Sequence, residues 1–245
     1  MLERIAEASP RLKARIAGGL WLTVIAASMT AFLVRSPMIV RDDAAATATR
    51  IMASESLFRL GFAADLMAGV FYTGVTVLLY RLLKPVSRSL SLMAAFLGLA
   101  GVAIGGANSL TNLATLVLLG GGQYLSAFSA SQLQTMALMS LRVYEQGFNV
   151  GMVFFGFQCI LIGCLIVRST FLPRILGVLL AIGGASYLIS SFASFLSPAT
   201  AAHLLPFIIP AALLGEGSLT LWLLVKGINV QRWKEQASAV EGLRT

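Results

Sequence analysis

Histidine and cysteine are nearly missing from this chain, with one and two copies in 245 residues. That scarcity excludes a disulfide-stapled fold and leaves no ligand spacing suited to zinc or haem. Cys159 and Cys164 are five residues apart. On a helix that separation turns their side chains about 140° from each other, so they do not bond. No serine nucleophile elbow or Walker sequence occurs, and the glycines at 120–122 lie beside no strand and helix start that would make them a phosphate loop. Charge is scarce too. Charged residues make up 11% of the chain, against about 25% in a soluble domain. Hydrophobic residues fill the space at 58%, and the mean hydropathy is +0.86.

The apolar residues gather into six runs, at 16–34, 57–80, 90–119, 147–167, 175–196 and 207–225. Each reaches the roughly 17–25 residues that a helix needs to cross a bilayer. The expected fold is an all-α membrane protein, a six-transmembrane-helix bundle forming a single integral-membrane domain over 1–245, with 226–245 a polar cytoplasmic tail. The first run is too long for the apolar core of a signal peptide and reads as an uncleaved span.

Positive charge alternates between the gaps. Arg4, Arg11, Lys13 and Arg15 precede the first run, and Arg81, Lys84 and Arg88 follow the second. Arg168 and Arg174 separate the fourth and fifth; Lys226, Arg232, Lys234 and Arg244 follow the last. These thirteen face three in the other gaps, Arg35, Arg41 and Arg50. Positive residues resist translocation, which predicts both termini inside, N-in/C-in. The net charge of +8 is then accounted for by orientation and by anionic lipid heads, without a nucleic-acid partner. The partner expected is the lipid bilayer, and nothing in the sequence fixes an oligomer.

Smaller elements are expected outside the spans. Leu2, Ile5, Leu12 and Ile16 recur among charges and predict a short amphipathic helix on the inner surface. Asp42 and Asp43 precede an Ala/Thr run through Ile51, which predicts a capped surface helix in the first outer loop. In the second outer loop the apolar spacing over 131–141 predicts an interfacial helix. The uncharged stretch 197–206 reads as a loop and 231–245 as a frayed tail, with Trp233 an interface anchor. Arg81 with Pro85 and Arg88 echoes Arg168 with Pro173 and Arg174; a repeated hairpin or shared loop chemistry would each produce this.

Ionisable residues inside spans cost about 2.5–3.5 kcal/mol each at the centre of a bilayer, so they mark function by default. Glu216 sits mid-span in Gly215-Glu216-Gly217, with Pro210 before it; Asp65 lies in the second run, with Arg59 further out. Arg142, Glu145 and Asn149 share a helical face, and Asn108 and Asn112 are four apart in the third run. Together they outline a polar pocket in the outer half, able to take a small molecule or ion. Each has a plainer reading. Arg59 and Arg142 can reach out to phosphates, Arg142 and Glu145 can pair with each other, and the asparagines and Gln158 can bond between helices. His203 reads as an exposed loop residue. Gly101, Gly105 and Gly106, like Gly177, Gly183 and Gly184, offer small faces for close packing. No residue is assigned as catalytic or metal-ligating, and no cofactor is implied. A binder or carrier therefore stands beside an accessory, sensory or structural membrane protein. An intramembrane enzyme is less supported, since no nucleophile accompanies the carboxylates.

Several stretches resemble one family across nearly the whole chain, about 14–233. They are Leu57-Phe58-Arg59-Leu60-Gly61-Phe62-Ala63-Ala64-Asp65, Leu79-Tyr80-Arg81-Leu82-Leu83-Lys84-Pro85-Val86 and the 120–122 turn. Val153-Phe154-Phe155-Gly156, Phe171-Leu172-Pro173-Arg174-Ile175-Leu176-Gly177 and Trp222-Leu223-Leu224-Val225-Lys226-Gly227 complete them. The sequence is similar to the bacterial integral-membrane family known as domain of unknown function 4386. The resemblance implies the fold and a bacterial cell (plasma or inner) membrane, and carries no activity, cofactor or substrate. It further implies histidine in many members where this chain has Tyr144 and Gln158, and an acidic or amide residue where it has Ser190. Arg59, Asp65 and Glu216 keep the family's residues.

Overall fold

The computed structural model describes residues 9–242, and among these every regular element is helical. The α-helices are α1 (Pro10–Arg35), α2 (Ala44–Ala53), α3 (Glu55–Leu83), α4 (Arg88–Leu119), α5 (Ala130–Arg168), α6 (Arg174–Leu196), α7 (Pro198–Val225) and α8 (Val230–Gly242). Short 3-10 turns occupy Ser36–Met38 and Gln123–Leu125. Helices α1 and α3–α7 are long and apolar enough to cross a membrane. The protein is a six-spanning all-α membrane protein.

Four expectations about the connecting segments change. Leu12 and Ile16 belong to α1 itself, whose first turn is closed by Ser9: the Leu12 N–H donates to Ser9 Oγ at 3.3 Å, and Pro10 opens the helix. Leu2, Arg4 and Ile5 lie outside the described residues, as does Arg244. The stretch 131–141 is not a separate surface helix. Ser129 and Gln132 cap each other reciprocally, Ser129 N–H to Gln132 Oε1 at 2.8 Å and Gln132 N–H to Ser129 Oγ at 3.3 Å, and no proline interrupts the helix from there to Arg168. The result is a single 39-residue helix, about 58 Å long at 1.5 Å per residue.

The stretch 197–206 is helical as well. Ser197 alone separates α6 from α7, Pro198 begins α7, and Pro206 and Pro210 lie within it. A proline fits the first turn, where its missing N–H has no acceptor to satisfy. His203 is exposed as expected, but on a helix. Finally, 230–242 is a docked helix rather than a frayed tail. Gly227, at φ +69°, ends α7 in a left-handed turn whose N–H reaches Trp222 O at 3.0 Å. Asn229 then caps α8 by accepting from the Arg232 N–H at 3.1 Å, and Trp233 Nε1 donates to Leu82 O at 2.8 Å.

Contacts divide the chain into two compact units. The first comprises residues up to Thr23, Phe71–Val102 and those from Asn149 onward; the second comprises Val24–Val70 and Ala103–Phe148. In the first, glycines permit backbone-to-backbone approach. A Cβ on Gly177 would lie 2.5 Å from Gly163 O, and one on Gly184 would lie 2.6 Å from Gly156 O, which brings α5 and α6 together. Gly215 does the same for α7 against Leu179 O. By contrast, Gly105 and Gly106 have open space around them and form no packing face.

The second unit is closed over a small apolar core of Met38, Ile51, Phe58, Leu116 and Leu141. Helix α2 lies against it as the expected capped helix: Asp43 Oδ1 accepts from the Ala46 N–H at 2.8 Å. Thr47 and Arg50 fasten α2 to the preceding turn through Val40 and the carbonyl of Pro37.

Candidate functional site

Six of the eight candidate residues are in the second unit, where they do not come together at one point. Arg35, the last residue of α1, meets Asp65 of α3, with Nη1 2.5 Å from Oδ2. Tyr144 of α5 completes a triangle. Its hydroxyl accepts from Arg35 Nη2 at 3.1 Å and donates to Asp65 Oδ2 at 3.0 Å, while the guanidinium sits 4.9 Å from the ring centroid. Side-chain exposure is only 11% for Arg35 and 18% for Asp65. At that burial each charge depends on the other, because the protein supplies little water to screen or replace it.

The arginine that satisfies Asp65 is therefore Arg35, whose position at the end of a span suggested an outer-loop charge. Arg59 pairs with Glu55 one turn back at 2.6 Å, on an exposed face. Arg142 bridges Glu145 at 3.1 Å and Asp42 at 3.6 Å, which fits the plain ion-pair reading of those two candidates. Asn108 Nδ2 donates to the carbonyl of Tyr144 at 2.8 Å, and the missing side chain of Gly147 makes room for it. Asn112 is 1% exposed, and neither of its amide atoms has a hydrogen-bond partner among the described residues.

In the first unit the centre is Glu216. Gly215 lets α7 press on α6, which brings the carboxyl against Tyr187. Oε1 accepts from the Tyr187 hydroxyl at 2.6 Å, and Oε2 accepts from Trp21 Nε1 of α1 at 3.2 Å. Glycine on the other side, Gly217, faces open space. No ion pair among the described residues includes Glu216.

A second polar chain lies beside it. The Trp21 indole packs edge-on to Tyr72 at 6.0 Å between centroids. Tyr72 donates to Gln158 Oε1 at 3.0 Å, and Gln158 Nε2 reaches Thr76 Oγ1 at 3.5 Å. Gln158 thus bonds between helices, as its plainer reading held. Asn149 does likewise, donating to Ser194 Oγ of α6 at 2.9 Å. Thr220 and Ser191, one turn from Glu216 and Tyr187 on their own helices, are fully buried hydroxyls with no partner among the described residues.

Sequence reasoning missed Arg35, Tyr144, Trp21, Tyr187 and Tyr72. Trp21, Tyr72 and Tyr187 counted only as apolar there, and Tyr144 entered only as a position where the resemblance implies histidine. The signal that finds them is chemical: a buried indole N–H or phenol O–H inside a bilayer needs an acceptor, and the acids are the scarce acceptors. Cys159 and Cys164 are both free, the first buried and the second exposed. Among the described residues no group of three or more His, Cys, Asp or Glu stands together as a metal site.

A protein of Archaeoglobus fulgidus, described as an uncharacterized protein, is 26% identical over 153 residues, which cover 62% of this chain and 75% of its own. No solved structure matches the chain. A family model matches residues 16–227, a stretch that takes in nearly all of the six spanning helices. The chain belongs to the family described as Domain of unknown function (DUF4386).

Proposed function

We propose that this protein binds or carries a small molecule or ion at a bacterial cell membrane, with the Glu216 carboxyl as the group that takes up and releases a proton or cation. One observation carries the reading: among the described residues, a carboxyl in the middle of a spanning helix is held only by neutral donors, Trp21 and Tyr187. A carboxyl kept for structure at such depth ordinarily meets an arginine or lysine, as Asp65 meets Arg35. Neutral donors fix the direction of the oxygens but leave the charge open to a proton or a cation. Open space at Gly217 and the unpartnered Thr220 hydroxyl one turn away add to the case.

The test is complementation of a deletion strain, with metabolite and lipid profiles compared between strains. Glu216→Gln should insert and fold at wild-type level yet leave the deletion profile uncorrected. Full correction by the glutamine variant would make Glu216 a structural acid.

A second reading is an accessory or structural protein, favoured by the Arg35–Asp65–Tyr144 triangle, in which the charges satisfy each other. Either reading places both termini in the cytoplasm, supported by the split of thirteen basic residues against three. Reporter fusions after Ser56, Ser126 and Thr200 should read outside, and those after Arg88, Arg174 and the C-terminus inside; one inverted site contradicts the topology.

A further inference from the structure

At the end of the first unit where α7 gives way to α8, a cleft of about 520 Å³ opens between the first turn of α1, the α5–α6 turn and the α7–α8 junction. Three cations line it from three elements: Arg11 from α1, Lys226 from the end of α7 and Arg232 from the first turn of α8; among the described residues no acid lines it. Arg11 and Lys226 take part in no ion pair among the described residues, and Arg232 is held only by a long bond, 3.4 Å, to the carbonyl of Thr170. The left-handed turn at Gly227 brings these three charges together, because it reverses α7 into α8 with the Arg11 stem packed on the glycine.

The remaining lining suits an oxyanion. The cleft includes Val230 and Gln231, whose backbone N–H groups begin α8 and point out of its N-terminus, where the helix dipole favours negative charge. Thr170 and Trp222 also line it. Trp222 lies in the last turn of a spanning helix, the level at which an indole meets headgroups. Three converging cations, free amide donors and an interfacial tryptophan make a site for a phosphate group at the membrane surface.

We propose that this cleft binds a phosphate oxyanion, supplied either by the headgroup of an anionic phospholipid or by phosphate in solution. The site is separate from Glu216 and does not depend on the role proposed for it. The full chain would be purified into nanodiscs of phosphatidylcholine containing one part in five phosphatidylglycerol, and the co-purified lipid counted by native mass spectrometry. A parallel sample in phosphatidylcholine alone would be titrated with radiolabelled inorganic phosphate.

The variant Arg11→Gln/Lys226→Gln/Arg232→Gln is compared with Arg81→Gln/Lys84→Gln/Arg88→Gln, which removes the same charge from a neighbouring turn outside the cleft. Each basic residue near an anionic surface contributes on the order of 1 kcal/mol, so the cleft triple should lose retained lipid or bound phosphate by more than about tenfold. The turn triple removes the same charge but lines no part of the cleft, so it should lose clearly less by the same measure. Lipid retention without phosphate binding assigns the site to a headgroup, and phosphate binding without lipid selectivity assigns it to the free ion. Equal losses in both triples, or no phosphate-bearing species retained by the wild type, overturn the proposal. Thermal unfolding of both triples in detergent separates a lost site from a lost fold.

Discussion

Arg35→Leu should be among the most damaging single substitutions in this protein. It strands the Asp65 carboxylate, whose side chain is 18% exposed and whose sole ion-pair partner among the described residues is Arg35. Breaking a buried pair from one side costs about 3–5 kcal/mol, because one charge remains with nothing to compensate it. Tyr144 keeps a single hydrogen bond to Asp65, and that retains only a fraction of the loss. The thermal midpoint in detergent should therefore fall sharply for Arg35→Leu. The double variant Arg35→Leu/Asp65→Leu should recover most of the loss, since removing both charges removes the stranded one. Tyr144→Phe removes two hydrogen bonds, to Arg35 and to Asp65, and at about 1 kcal/mol each should cost about 2 kcal/mol, less than Arg35→Leu. A double variant no more stable than the single would show that the triangle does not act as a charge pair.

The second large effect is steric. A Cβ on Gly177 would stand 2.5 Å from the Gly163 carbonyl oxygen and 2.9 Å from Val167 Cγ2. Backbone on the facing helix cannot turn away as a side chain can, so α5 and α6 must separate. Overpacking of this kind costs about 1–3 kcal/mol and sometimes more. Gly177→Val should exceed Gly177→Ala, and both should lower yield and thermal midpoint. Gly105→Ala and Gly106→Ala are the control. Nothing lies within 4 Å of either added methyl, and the better helix propensity of alanine adds up to about 1 kcal/mol. Equal behaviour at positions 105 and 177 would contradict the packing described for α5 and α6.

These two cases mark what a linear reading reaches. The spans are legible because each is a long apolar run, and α2 because Asp43 precedes an uninterrupted helix-forming stretch. Polarity misleads at 131–141 and 197–206. The first reads as a separate interfacial helix and the second as an uncharged loop, yet the helix begun at Ala130 runs unbroken to Arg168, and α7 starts at Pro198 and continues through Pro206. Pairing is harder still. Arg59 lies six residues from Asp65 in sequence, while Arg35 lies thirty away on another helix; only packing reveals which guanidinium arrives. Glu216 stands out from its depth alone. Its donors do not, because Trp21 and Tyr187 look like ordinary apolar residues until their N–H and O–H need acceptors.

The contrast between the two buried acids is the basis of the proposed function. Asp65 is neutralised by a neighbouring guanidinium, whereas the partners of Glu216 among the described residues are an indole and a phenol. Glu216 should therefore change its protonation or bind a cation while the fold stays intact, and that response should not require Asp65. Infrared difference spectroscopy on the protein in lipid, stepped through pH and through added monovalent cation, reads this directly from the carboxyl C=O band. A reversible band change in the wild type and in Arg35→Leu/Asp65→Leu, absent from Glu216→Gln, is the predicted result. A band that never responds in the wild type, or one that survives unchanged in Glu216→Gln, would contradict it.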